Sequence, residues 1–180
     1  LLQQEFPELD FIHLPDYNIS YQKKGSFALK ILQSAPTIIK KINEEQGQLK
    51  ELIKANKIDG VISDNRFGLY SNEVPCVFLT HQVMIKAPAG EKILYKFNQK
   101  FIQKYDECWI PDFEGPENLS GDLAHRFPTE GSYRYIGPLS RFRVREAKKE
   151  PQFQVLALIS GPEPQRTLFE EIVVNQMMEL

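Results

Sequence analysis

The feature that most constrains the fold is a series of short apolar runs, each followed directly by polar or turn residues. The runs lack a strict apolar and polar alternation, which is typical of strands covered on both faces of a parallel sheet. Amphipathic segments lie between several runs, so strand and helix succeed each other along the chain. This pattern predicts an α/β fold, with a Rossmann-like parallel sheet and flanking helices. The runs are residues 10–14, 60–62, 76–79, 107–110, 133–136 and 153–159.

The helical segments are predicted from apolar residues at helical spacing. Residues 26–55 carry such a pattern among Lys and Glu, and Pro36 is predicted to divide them. Ser34 can cap the second part, and a proline fits the first turn of a helix, where its missing N–H is not needed. Further amphipathic helices are predicted over residues 91–105 and 164–180.

The stretch between Gly137 and Pro151 has no apolar period and is dense in Arg, Lys and Glu. Such a composition is typical of a linker between domains, although a solvated loop inside one domain has the same character. We expect a first domain over residues 1–137, a linker over 138–152 and the start of a second domain over 153–180. The chain begins without Met and ends inside a predicted helix, so we expect both ends to be cut.

Composition excludes several classes of protein. Hydrophobic residues make up 42% and charged residues 26%, which favours a globular fold over disorder. The net charge of -2 argues against a nucleic-acid binder driven by phosphate neutralisation. Cys76 and Cys108 lie in apolar runs, where buried thiols are expected. No spacing of His and Cys indicates a metal site, and no apolar run is long enough for a transmembrane helix.

Polar clusters follow the runs at 60–62 and 76–79. Ligands of an open parallel sheet bind beyond the carboxyl ends of its strands, so these clusters share one predicted edge. Asp64 is a candidate general base or substrate anchor, and Arg66 a candidate phosphate or carboxylate contact. A helix cap at Ser63 or Asp64, or a salt bridge between Asp64 and Arg66, is the alternative. His81 is a second candidate base or phosphate contact, with a hydrogen-bonded structural histidine as its alternative.

The junction after the run at 153–159 is a candidate phosphate site. It joins a predicted strand to a predicted helix, whose free N–H groups and dipole favour an anion. Gly161 allows close backbone approach and Arg166 can contact a diphosphate through two N–H groups. The segment lacks both the GxGxxG and the GKS/T pattern, so an ordinary turn remains the alternative.

Lysines recur every four residues along the predicted helix at 91–105, at Lys92, Lys96, Lys100 and Lys104. This spacing gathers their ammonium groups along one side of the helix. A solvated helix face is one interpretation. Attraction to an anionic membrane surface or to a lipid-phosphate acceptor is the other.

Five segments together resemble a bacterial branch of the GT-B glycosyltransferases, similar to glycosyltransferase family 28 and to UDP-glucuronosyltransferase-related proteins. The resemblance implies two Rossmann-like domains that face a cleft, with the acceptor on the N-terminal domain and the nucleotide sugar on the C-terminal one. It also implies that no metal or other cofactor is needed. The segments are IDGVISDNRFGLY (58–70), VPCVFLTHQ (74–82), ECWIPD (107–112), YIGPLSRF (135–142) and VLALISGPEPQRTLFE (155–170).

By this resemblance the intact protein is an enzyme that moves a sugar from a nucleotide-diphosphate sugar, a UDP-sugar, to a hydroxyl of a glycan or lipid-linked acceptor. The acceptor side maps to Asp64, Asn65, Arg66 and His81, and of these His81 or Asp64 is the candidate catalytic base. The donor diphosphate maps to Ser160, Gly161 and Arg166.

A cytoplasmic location is expected as well, and the spacing of the four lysines adds an expected peripheral contact at the inner membrane face. The glycine-rich loop and the uracil-binding segment of such enzymes are expected outside these 180 residues, so we expect the piece alone to be inactive. Two alternatives remain open. One is a nucleotide-sugar 2-epimerase of the same fold, and the other is a non-catalytic module that binds a sugar or a partner.

Overall fold

The computed structural model describes residues 2–14, 27–56, 58–86, 90–126, 131–142, 153–161 and 163–178. The chain divides into two compact units, Leu1–Ser140 and Arg141–Leu180. The division falls within the predicted linker at 138–152, of which residues 143–152 lie outside the described residues. The assignment of the two units to the two domains of a GT-B fold stays a prediction.

The first unit is built on a four-stranded parallel sheet with the strand order β1-β2-β3-β4. The predicted α/β class with a parallel sheet and flanking helices is thereby confirmed. The strands are β1 (Val61–Asp64), β2 (Cys76–Leu79), β3 (Glu107–Ile110) and β4 (Tyr133–Tyr135). The helices of this unit are α1 (Leu2–Glu5), α2 (Phe27–Asn56), α3 (Glu91–Ile102) and α4 (Asp122–His125), and the second unit holds α5 (Gln165–Met177).

The core of the first unit lies on one face of this sheet. Alternate strand residues point to the same face, and on β2 and β3 these are the buried Cys76, Phe78, Cys108 and Ile110. Aromatic rings complete the layer: the Phe78 ring lies 5.4 Å from Phe67 and 5.0 Å from Tyr105. Such ring pairs stabilise a core beyond their buried area alone. The other members of the buried cluster are Val83, Ile102, Tyr105 and Ala124.

Two predicted strands are absent from the described structure. Residues 10–14 form no strand, and Ile12 remains 53% exposed. Residues 153–159 also form none, with Leu158 91% exposed. A strand needs a neighbour to satisfy its backbone N–H and C=O groups, and for residues 153–159 the described part of the second unit offers no other strand. The predicted helix that follows is present as α5.

The predicted division of the first long helix at Pro36 is wrong. α2 runs from Phe27 to Asn56 with Pro36 inside it. A proline removes a single N–H donor from a helix, which is a local loss. Beyond Pro36, the buried side chains Ile42, Leu49 and Ile53 recur at helical spacing and dock the rest of the helix.

Replacing Gly68 by alanine is expected to destabilise this unit. A Cβ at Gly68 would lie 2.6 Å from the Glu45 side chain and 2.6 Å from the Ile42 carbonyl oxygen, so α2 must shift. Overpacking of this kind costs about 1–3 kcal/mol, which urea unfolding measures. Gly47→Ala is the matched control, because Gly47 lies on the exposed side of α2 with nothing within 4 Å. That control is expected to stabilise the protein slightly, and equal effects of the two changes would contradict the close contact at Gly68.

Candidate functional site

The carboxyl ends of β1 and β2 present three of the predicted site residues at one edge of the sheet. Asp64 is the last residue of β1 and is exposed. It pairs with Leu79 in the parallel register, and the N–H of Asn65 donates to the Leu79 carbonyl at 3.1 Å. His81 follows Leu79 by two residues and is exposed. Asp64, Asn65 and His81 therefore lie on adjacent loops at the same edge.

Two buried hydroxyl groups form hydrogen bonds to the backbone of the loop that follows β1. Ser63 is fully buried, and its hydroxyl donates to the carbonyl oxygen of Arg66 at 2.6 Å. The Tyr105 hydroxyl donates to the same oxygen at 2.6 Å. Burial raises the pKa of Tyr105 well above its usual range, so this phenol stays protonated and remains a donor. The backbone of the loop is fixed where it turns away from the sheet.

The Arg66 side chain is bound to α2. Its Nε donates to Glu45 Oε1 at 2.6 Å and a terminal nitrogen lies 2.5 Å from the same oxygen. Glu45 is fully buried, and its other oxygen accepts the Gly68 N–H at 3.1 Å. Arg66 thus ties the loop to the helix, whereas the sequence offered Asp64 as its ion-pair partner. Its predicted contact with an acceptor stays a prediction.

Asn65 adopts a backbone conformation that few residues other than glycine accept. Its φ is 53°, in the left-handed region, where asparagine is tolerated better than most side chains. The Asn65 amide lies 3.4 Å from Asp64 Oδ1. Strained backbone of this kind is concentrated at functional sites, where it sets the direction of side chains.

The loop after β2 is also held by buried polar groups. The Thr80 hydroxyl, 1% exposed, accepts the N–H of Gln82 at 2.9 Å. Asn98 on α3, 2% exposed, donates to the carbonyl oxygens of Gln82 at 3.2 Å and Val83 at 2.7 Å. His81 and Gln82 project between these anchors into solvent. Within the described part of the chain no group hydrogen bonds to the His81 ring.

A buried carboxylate at the end of β3 is a feature that the sequence reasoning missed. Asp112 is 1% exposed and accepts hydrogen bonds from the N–H groups of Phe113, Leu119 and Ser120, the Ser120 hydroxyl and His125 Nε2. Burial acts to raise the pKa of Asp112, but hydrogen bonds from Ser120, Leu119 and His125 outweigh it. The pKa is held well below its usual range, and Asp112 is an anion at neutral pH.

His125 connects this carboxylate to β4. Its ring stacks on Tyr135 with centroids 5.0 Å apart, and its Nδ1 lies 3.4 Å from the Tyr135 hydroxyl. That hydroxyl donates to the Ala124 carbonyl at 3.1 Å. Both ring nitrogens of His125 therefore face protein groups, and the network holds the β3–β4 loop closed. The sequence signal for Asp112 is its position two residues after the apolar run at 107–110, as Asp64 stands two residues after the run at 60–62.

The predicted diphosphate residues lie in the second unit. Ser160 and Gly161 are exposed, and Gly161 has a φ of 127°, which favours glycine. Arg166, in the first turn of α5, donates from Nε to Glu163 at 2.7 Å, and a terminal nitrogen lies 3.5 Å from Glu170. Ser160, Gly161 and Arg166 are thus close together in the sequence and exposed. The carboxylates of Glu163 and Glu170 bind the Arg166 guanidinium.

Several other features bear on what the site can do. Burial raises the pKa of Cys108 to about 12 and also raises that of Cys76, so both thiols stay protonated at neutral pH. Across the described residues, no group of three or more His, Cys, Asp or Glu is arranged to hold a metal ion. None of the described helices has the length and apolar character needed to cross a membrane.

Comparisons with models of known protein families, with curated proteins and with solved structures give no match to this chain. Function is therefore inferred from the geometry of the sheet edge and from the residues at its surface. In an open parallel sheet this edge is where ligands bind.

Proposed function

We propose that the intact protein is a glycosyltransferase that moves a sugar from a nucleotide-diphosphate sugar, most simply a UDP-sugar, to a hydroxyl of a glycan or lipid-linked acceptor. The observation that supports this best is the pair of adjacent loops that expose Asp64, Asn65 and His81 at one edge. Each loop is held by buried polar side chains. Groups held in place before the substrate arrives are what a transfer reaction needs.

In the proposed reaction, His81 or Asp64 accepts the proton of the acceptor hydroxyl as its oxygen attacks the anomeric carbon. The bond from that carbon to the diphosphate breaks, and the diphosphate leaves with the electron pair. Arg166 and the N–H groups near Ser160 and Gly161 stabilise the leaving group. Arg166 exchanges Glu163 for the diphosphate in this scheme, and Asn65 orients the acceptor.

Loss of either candidate base is expected to reduce transfer strongly. His81→Ala and Asp64→Asn are each expected to lower kcat/KM about 100-fold or more if the residue takes the proton. Transfer from UDP-sugars to a panel of glycan and lipid-linked acceptors measures this. His13→Ala and Asp59→Asn are matched controls, because both residues are exposed and Asp59 lies at the opposite end of β1. A loss that is equal in controls and variants would contradict the assignment.

Binding of the donor by the intact protein is tested separately with UDP alone. UDP is expected to raise the melting temperature of the wild type and of His81→Ala, since His81 does not contact the diphosphate in the scheme. Arg166→Ala is expected to lose most of that shift. No transfer or hydrolysis of any nucleotide sugar, together with UDP stabilisation unchanged in Arg166→Ala, would overturn the proposal. Glycan binding without any effect of UDP would indicate a non-catalytic sugar-binding module instead.

A further inference from the structure

The outer face of α3 is a cationic surface with an exposed apolar side chain, and we propose that it docks on an anionic membrane surface. We define this α3 face by Lys92, Ile93, Lys96 and Lys100. All four side chains are exposed. Membrane docking makes no demand on the transferase chemistry, and it applies to the first unit on its own.

The lysines lie on the side of α3 opposite its packed side. The buried residues of the helix are Leu94, Asn98, Phe101 and Ile102. With about 100° between successive residues, Lys92, Lys96 and Lys100 cluster around the direction opposite to that buried group. The three ammonium groups therefore point outward together and can approach one flat surface.

The charge on this face is of a single sign. Within the described part of the chain, Lys92, Lys96 and Lys100 form no ion pair. Glu91, the one acidic residue of α3, lies 2.8 Å from Arg126.

Lysines on α2 have a different environment. Lys40 and Lys41 lie 3.9 Å and 3.4 Å from Glu44, so α2 mixes both signs on its surface. A helix face that only contacts water can carry charges of both signs. A face that carries only positive charge is complementary to an anionic surface.

The structure separates Lys104 from the other three lysines. It lies beyond the end of α3, and its Nζ donates to the Tyr70 hydroxyl at 2.9 Å. The same nitrogen lies 4.7 Å from the centre of the Tyr70 ring. Lys104 is thus engaged within the protein, and the docking surface contains three of the four lysines that the sequence pattern grouped together.

Ile93 favours a lipid surface over a nucleic acid or an acidic protein. Its side chain is 72% exposed and lies along one side of the lysine face, one helical turn before Lys96. Helices that lie on membranes place lysines at the headgroups and apolar side chains slightly below them. The protein as a whole carries a net charge of -2, so attraction to anionic lipid must come from a local surface such as this one.

Vesicle flotation tests the proposal directly. The protein is expected to float with vesicles of phosphatidylcholine and phosphatidylglycerol at low salt, and not with phosphatidylcholine alone. Each lysine near an anionic bilayer contributes roughly fivefold to binding, so Lys92→Gln, Lys96→Gln and Lys100→Gln together are expected to weaken it about 100-fold. High salt is expected to have the same effect. Ile93→Ser is expected to weaken binding by a smaller, salt-independent factor.

The matched control carries three glutamine substitutions on α2, at the exposed Lys40, Lys50 and Lys54. It removes the same charge and is expected to leave vesicle binding within about twofold, because those lysines lie on a surface of mixed sign. Absence of wild-type binding to anionic vesicles, or equal loss in the two triple variants, would overturn the proposal. Loss of RNA or acidic-peptide binding in the α3 variant, with vesicle binding unchanged, would overturn it too.

Discussion

Asp112→Ala is expected to lower the free energy of unfolding by about 3–5 kcal/mol, since it removes a buried charge from partners that remain in place. The N–H groups of Leu119 and Ser120 donate to this carboxylate at 2.8 Å and 2.9 Å, and the variant leaves both without it. His125 loses its carboxylate partner in the same step. Urea unfolding followed by far-UV circular dichroism measures the change.

The effect of Asp112 is expected to depend on pH in one direction. The fold lowers the pKa of this carboxyl, so its contribution to stability is complete above the unfolded value of about 3.9 and declines as the pH falls toward the folded value. The difference between wild type and Asp112→Ala should therefore be constant near neutral pH and shrink below about pH 4. A difference that stays constant into acid would contradict an ionised Asp112.

Asp122→Ala is the matched control for Asp112. The Asp122 carboxylate is half exposed and lies 3.4 Å from Lys86 Nζ, so its ion pair is a surface one. Surface pairs contribute about 0–1 kcal/mol, and this variant should unfold close to the wild type. If Asp112→Ala costs no more than Asp122→Ala, the hydrogen bonds around Asp112 do not hold the β3–β4 loop.

The inner part of the sheet was predictable from the sequence and its edges were less so. The apolar runs at 76–79 and 107–110 coincide with β2 and β3, which have neighbours on both sides. The runs at 60–62 and 133–136 shift by one or two residues in β1 and β4, the outer strands. Residues 10–14 and 153–159 have the same local pattern and form no strand. The same local pattern forms a strand only where distant parts of the chain supply a neighbouring strand, and the sequence pattern alone does not show where that happens.

The exposed side chains of the candidate site were predictable for the same topological reason. Parallel neighbouring strands have their carboxyl ends at the same edge of the sheet. The strand assignments alone therefore place Asp64 and His81 near each other. Their supports were not predicted, because Glu45 and Asn98 act on residues more than a dozen positions away. A signal was nevertheless present. Glu45 falls on the apolar stripe of α2 and Asn98 on that of α3, and a polar residue on such a stripe must find a buried partner.

Glu45→Ala is expected to lower the free energy of unfolding by about 3 kcal/mol or more, which urea unfolding measures. The variant leaves the mostly buried guanidinium of Arg66 without this carboxylate, and it removes the acceptor of the Gly68 N–H. Glu44→Ala is the matched control on the preceding residue, because Glu44 lies 3.9 Å from the exposed Lys40 and 3.4 Å from the partly exposed Lys41. That change is expected to cost less than about 0.5 kcal/mol.

The double variant Glu45→Ala with Arg66→Met separates the ion pair from its surroundings. If the pair is coupled as its geometry indicates, the double variant should be more stable than the sum of the single effects predicts. Loss of Glu45 should also loosen the loop that carries Asp64 and Asn65. Amide exchange at residues 64–68 is therefore expected to speed up, while residues 80–84, which Asn98 holds independently, should be unchanged. Equal acceleration in both loops would mean that Glu45 supports the whole sheet edge and not one loop of it.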